Sequence, residues 1–259
     1  MGKYGLVHFI NVWDLDNFFY FYNSHETQYC MRKVFIFLSI IGIAYLFGCI
    51  KKKNHKINEG QITYSIEYDR LTLEKIDEKV LPTTLTVRFK DNNTFNSIEV
   101  LSGAVNISII SQPSEERFVT LLKVFNKKLY HDEPYTSEHY PALYSKIPPV
   151  VIDSLQENIE YLGFKCKKVR GHFADSPDFK FDIIFTNEIQ IEDPNINTHF
   201  ESVKGVMLVF NLRFNKLNMF LKAQSVEEVS INTNEFQIPS DYKHVDFTTM
   251  SELVYLLQQ

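Results

Sequence analysis

Cysteine is scarce in this chain: Cys30, Cys49 and Cys166 are the only three in 259 residues. So few thiols build no disulfide framework, and stability must come from a packed core. Glycine is scarce as well. With 9 glycines, no G-x-G-x-x-G or Walker pattern occurs, which removes the phosphate-cradling loops of nucleotide enzymes. There is no excess of basic residues. The 27 Lys and Arg stand against 32 Asp and Glu, a net charge of −5, so nothing draws the chain to nucleic acid. The histidines (His8, His25, His55, His131, His139, His172, His199 and His244) are scattered and form no H-E-x-x-H site. No G-x-S-x-G elbow is present, and no spacing of carboxylates singles out an acid/base pair. No enzyme, cofactor or metal is expected on these grounds.

The longest apolar run is also short. Val34 to Phe47 is mostly apolar, below the roughly 20 residues that a spanning helix needs. Arg32 and Lys33 precede it, and Gly48-Cys49 follow. A basic start, an apolar middle and a small residue before the cut make a secretory signal peptide. Leu46-Phe47-Gly48-Cys49 is similar to the bacterial lipobox, in which the cysteine is lipidated and becomes the new N-terminus. Residues 31–48 are therefore expected to be a lipoprotein signal peptide, with Cys49 the lipid attachment site. The alternative is an uncleaved anchor helix ending at Lys51-Lys52-Lys53. Residues 1–30 are aromatic-rich and stand upstream of a complete signal, so an over-extended gene start with Met31 as initiator is expected. Residues 49–59, "CIKKKNHKINE", read as a polar tether whose lysines sit near anionic headgroups.

Beyond the tether the apolar residues fall at a period of two. Ile62, Tyr64, Ile66 and Tyr68 alternate with polar residues. Leu85, Val87 and Phe89 do the same, as do Phe179, Phe181, Ile183 and Phe185, and Val206 through Phe214. "DNNTF" at 91–95 is a turn signal. Residues 118–130 read as one strand or as a pair turning near Asn126. Residues 131–150, rich in Pro and Tyr, read as a lid or edge cover, "IDSLQENIEYLG" as containing a helical turn, and 217–229 as a strand broken near Ser225. The tail "FTTMSELVYLLQQ" reads as a short helix capped by Thr248 or Thr249. The helical crossovers that parallel strands need are missing. These features predict a mainly β (α+β) domain over 60–245. It is one large curved antiparallel sheet of about 9–11 strands, an open or half barrel, followed by a C-terminal helix over 246–259.

Two local groups invite chemistry. Cys166 lies among Lys165, Lys167 and Lys168, but on a strand its immediate neighbours point to the other face, and a small buried hydrophobe is expected. His131, Asp132, Glu133, Glu138 and His139 form the densest polar group and read as a solvated lid. An ordinary β core accounts for most of the 22 Phe and 14 Tyr. A curved sheet with a bulky apolar face can be packed shut or can hold an acyl chain. The candidate ligand face is Tyr64, Ile66, Phe181, Ile183, Leu208, Phe210 and Leu212.

Four stretches occur in order: "EGQITYSIEYD", "YLGFKCKKV", "VKGVMLVFNL" and "NEFQIPSDYKHV". They carry Gly60-Ile62-Tyr64, Gly163-Phe164-Cys166-Lys168, Gly205-Leu208 and Phe236-Ile238-Pro239-Tyr242. Together they resemble a family of Gram-negative bacterial lipoproteins of unknown function, similar in fold to the Lol-type lipoprotein carriers. The resemblance implies a concave β half-barrel facing the periplasm or cell surface, with an apolar ligand. It implies no catalytic residue. The expected partners are a membrane, reached through the N-terminal lipid, and a lipid or lipoprotein ligand; the domain is expected to be a monomer. In the lipoprotein systems that the chain resembles, acidic residues just after the cysteine often mark surface export; here the residues are basic, so the outer membrane, facing the periplasm, is expected. Pro239 suits a strand end, and Gly163 and Gly205 suit bends or close approaches.

Overall fold

The computed structural model describes residues 56–257 apart from 70–72, 75, 136–139, 143, 145–146 and 215–216. Residues 31–48, expected to be a signal peptide, the preface 1–30 and Cys49 lie outside the described residues, as do Glu138 and His139. His55–Gln259 forms one compact unit with its own hydrophobic cores, the mark of a domain able to fold alone. Among the described residues no helix is long and apolar enough to cross a membrane.

Among the described residues twelve strands form one large, curved, open sheet. They are β1 (Glu59–Tyr68), β2 (Thr84–Lys90), β3 (Asn93–Val100), β4 (Val105–Gln112), β5 (Arg117–Val124), β6 (Lys127–Pro134), β7 (Val150–Tyr161), β8 (Phe164–Phe173), β9 (Ser176–Thr186), β10 (Val206–Phe214), β11 (Leu217–Glu227) and β12 (Lys243–His244). The order is β12-β6-β5-β4-β3-β2-β1-β11-β10-β9-β8-β7. Two antiparallel meanders therefore meet where β1 pairs with β11. Among the described strands β12, two residues long and parallel to β6, breaks the antiparallel rule and carries the count past the expected eleven.

The period-two pattern sets which side faces inward. Tyr64, Leu85, Ile98, Ile107 and Leu122 are successive cross-strand partners from β1 to β5. In the other direction Ile66 faces Leu221, which faces Phe210. Asp91 and Asn92 both take positive φ between β2 and β3, as a two-residue hairpin turn requires. Gly163 follows Leu162 at φ +81 in the β7–β8 turn. A Cβ on Gly205 would meet Asn187 Oδ1 at 2.5 Å, so that position is a close approach. The irregularity expected near Ser225 is a bulge: Thr63 pairs with Ser225, but Tyr64 pairs with Ala223.

Because β6 and β7 occupy opposite regions of the sheet, the chain between them must travel across it. Ala142 and Tyr144 pack on the inner face during that passage. After β11 the chain crosses the outer face instead. Phe236 and Ile238 pack against Ile110, Val119 and Leu121 there, and the chain then adds β12 beside β6. Helix α1 (Phe247–Leu257) turns back inside, burying Met250 and Val254 against Ile109, Phe118 and Leu122.

Several expectations are corrected. Residues 152–163 hold no helical turn; they belong to β7 and its turn into β8. The helix is capped by Asp246 rather than Thr248 or Thr249. Asp246 Oδ1 accepts from the Thr249 amide at 2.8 Å, and Oδ2 from its hydroxyl at 3.0 Å. His131, Asp132 and Glu133 are on β6 rather than in a loop. Pro239 does not end a strand; it sits in a turn in which its carbonyl accepts from Tyr242. Ile57, within the expected tether, is buried and pairs with Ile189.

Candidate functional site: an apolar cavity inside the sheet

The inner face is not packed shut. A cavity of about 1350 Å³ lies within the curve. That exceeds the roughly 300–1,000 Å³ of a pocket for a drug-sized ligand. Leu85, Val87, Ile98 and Ile107 supply one wall from β2 to β4, and Phe210, Leu212 and Met219 the other from β10 and β11. Segments outside the sheet complete it. Ile76 and Val80 come from the β1–β2 connection, Tyr144 from the β6–β7 crossover, Phe200 from the segment before β10, and Leu257 from the end of α1.

The candidate ligand face divides. Tyr64, Phe210 and Leu212 line the cavity. Ile66, Phe181, Ile183 and Leu208 are buried in the adjoining core and are not among the lining residues. Phe210 holds its place by edge-on contacts with Tyr64 (5.9 Å between centroids) and Phe200 (5.8 Å). Burial pushes the phenols of Tyr64 and Tyr144 well above the ordinary range, so both stay neutral donors.

Polar groups are few and placed. Asn195 is buried and donates to the carbonyls of Val203 (2.6 Å) and Gly205 (3.0 Å), closing the loop before β10. Asn96 Oδ1 and Asn218 Oδ1 are buried with no hydrogen-bond partner, and both residues line the cavity. At one rim Arg213 pairs with Asp175, donates to Ser176 Oγ at 3.0 Å, and lies 4.5 Å over the Phe173 ring. Asn218 donates to Asp69 at 3.1 Å. This rim was missed by the sequence reading. Its one available signal was the Arg interrupting the apolar run of "VFNLRF".

The other groups singled out lie elsewhere. Cys166 is buried, flanked by exposed Lys165 and Lys167, and burial raises its thiol pKa, which makes it a poor nucleophile. Asp132 pairs with Arg117 at 2.8 Å. His131 Nδ1 is 2.9 Å from the Val245 carbonyl, which makes that nitrogen the donor, and its Nε2 lies 3.9 Å from Glu133. Glu133 accepts from the Ala142 amide at 3.1 Å and so pins the crossover. Among the described residues no three His, Cys, Asp or Glu side chains gather as a metal site. A second, polar hollow of about 860 Å³ lies on the outer face between Thr86, Ser97, Asn106 and Ser108.

No family model matches the chain. No curated protein matches it. Among solved structures, PNGF-II in a C2 space group is similar over 76% of this chain, at 12% identity and a TM-score of 0.48. The match covers 32% of that protein's own length, and no property passes from it to this chain.

Proposed function

We propose that the chain is a membrane-anchored envelope lipoprotein whose β half-barrel binds a hydrophobic ligand: an acyl chain, a lipid or a lipoprotein. The observation that carries this reading is the apolar cavity of about 1350 Å³, built by two walls of one sheet and roofed by segments from four other parts of the chain. A cavity of that size lined by Leu, Ile, Val, Met and Phe gives water few partners, and an apolar chain gains free energy roughly in proportion to the area it buries there. The lipobox-like ending at Cys49 supports the anchor, and the basic residues behind it support a place against anionic headgroups on the periplasmic side of the outer membrane.

Native mass spectrometry of His55–Gln259 released from an envelope extract tests the binding. A discrete adduct of lipid mass is expected. A bare protein mass, together with no uptake of an apolar fluorescent probe, would sink the reading. The anchor is tested separately: Cys49→Ala should abolish labelling by radioactive palmitate, and continued labelling counts against the lipobox.

A second reading, a lipoprotein that docks another envelope protein, draws on exposed apolar tips. Phe125 is 67% exposed and Leu256 66%. Co-purification of a partner that Phe125→Asp disrupts would favour it.

A further inference from the structure

We propose that the ligand is a single-chain amphiphile with an anionic head, and that Arg213 binds that head at the rim of the cavity. This rests on the binding reading above and names the chemistry that the site selects. Among the described residues that line the cavity, Arg213 is the single Lys or Arg. Its side chain is 13% exposed, so the charge is largely withdrawn from water and needs an anionic partner. In the structure that partner is Asp175, itself 61% exposed beyond the end of β8. Asp175 reaches solvent, so its carboxylate can give way to another anion that takes over the pairing with the guanidinium.

Arg213 does not depend on Asp175 for its pose. The guanidinium lies 4.5 Å over the Phe173 ring, and Nη1 donates to Ser176 Oγ at 3.0 Å. When Asp175 turns away, the planar fork stays aimed and offers its donors to a carboxylate or phosphate. Arg213 and Leu212 both line the cavity, so a head on Arg213 places its chain beside the apolar wall. Asp69 lies on the same lining and is held by the Asn218 amide, so it is not the group that an entering anion displaces. Carboxylate and phosphate heads share this chemistry, and the two sources are separated by the probes below.

The test uses His55–Gln259 loaded with the neutral probe N-phenyl-1-naphthylamine and displaced by dodecanoate, dodecyl phosphate, dodecanol or dodecylamine. The two anions should displace it at lower concentration than the alcohol, and the amine should be weakest. The better of the two anions identifies a free fatty acid or a phospholipid-derived head. Arg213→Gln should weaken the anions by about 10-fold and leave dodecanol unchanged, since a charge-assisted hydrogen bond is lost. Arg213→Lys should recover part of that loss. Asp175→Asn should strengthen the anions a few-fold, because it removes their competitor. Equal displacement by anion and alcohol, preference for the amine, or weaker anion binding in Asp175→Asn overturns the proposal while leaving the binding reading intact. No displacement by any of the four overturns the binding reading itself.

Discussion

The hydroxyl of Tyr64 on β1 donates to the carbonyl oxygen of Met207 on β10 at 2.9 Å, reaching past the intervening strand β11. The register of β10 shifts between Met207 and Val209, so the ladder is interrupted beside that carbonyl and the phenol satisfies it. Tyr64→Phe keeps the ring against Phe210 but strands a part-buried acceptor. The expected cost is roughly 1–3 kcal/mol in urea unfolding, with displacement of an apolar probe little changed. A loss near zero would mean that water reaches the Met207 carbonyl.

His199 ties the segment before β10 to the β6–β7 crossover. Its Nε2 is 3.1 Å from the Tyr144 carbonyl, which makes Nε2 the donor and leaves Nδ1 buried and unpartnered. Burial holds its pKa below the ordinary value, against the smaller upward pull of that hydrogen bond. The folded state therefore favours neutral imidazole. Its contribution is fully present above the unfolded pKa of roughly 6.5 and is lost as pH falls through that value toward the folded one. Protection factors of the amides around Tyr144, taken against the intrinsic exchange rate, should fall as pH drops below about 6.5. That fall should vanish in His199→Gln, whose amide can still donate to the carbonyl. An identical pH response in the variant would remove His199 from the account.

The strands were legible because a half-buried antiparallel sheet writes its faces in alternation. Ile62-Tyr64-Ile66 and Phe181-Ile183-Phe185 are buried as that pattern requires. β7 was hidden. Its apolar residues Ile152, Leu155 and Ile159 fall at helical spacing because a bulge between Ile152 and Gln156 breaks the alternation, and only β8 pairs with it. The cavity was half legible. Alternation places Leu208, Phe210 and Leu212 on one strand face, and all three are buried in the main core, yet only Phe210 and Leu212 also border the cavity. The rest of that lining includes Tyr144, Phe200 and Ile76, which arrive from distant parts of the chain and leave no trace in the periodicity of β10. Arg213 was invisible for the same reason, since its partner Asp175 and its platform Phe173 are joined to it only by the fold.

Asp246 caps α1, which seals one end of the inner face. The amide and hydroxyl of Thr249 hold its carboxyl below the usual carboxylate range. This contribution is present above the unfolded carboxylate value and lost as pH falls through the lower folded one. Asp246→Ala should loosen the first turn of the helix at pH 7, seen as faster exchange of the Thr249 and Met250 amides. The wild type should approach the same behaviour only in acid. Unchanged exchange in the variant would show that the packing of Met250 and Val254 alone fixes the helix.

Phe125 occupies the β5–β6 turn at φ +53 with 67% of its surface exposed. A left-handed backbone costs a non-glycine residue roughly 1–2 kcal/mol, and Asn bears it best. Phe125→Asn should therefore raise stability by about 1 kcal/mol, measured by denaturant midpoint at unchanged slope. A fall instead would mean that the ring packs against something in the folded chain.

Phe210 and Leu208 provide the sharpest test of whether the inner face is open. They sit two residues apart on β10, but Leu208 is fully buried in the core while Phe210 borders the cavity. Leu208→Ala leaves a void among packed neighbours and should cost about 2–5 kcal/mol. Phe210→Ala removes a side chain that already has open space on one side. It loses its contacts with Tyr64 and Phe200 but creates little new unfilled volume around packed atoms. Its cost should fall below the roughly 3–5 kcal/mol of Phe→Ala in a close-packed core. The binding effects should run the other way: Phe210→Ala alters the affinity for an apolar probe, and Leu208→Ala leaves it near the wild-type value as long as the domain stays folded. Urea unfolding and probe titration on the same two variants decide the matter. A full core-sized loss at Phe210, with no probe bound by the wild type, means that the cavity is closed in solution.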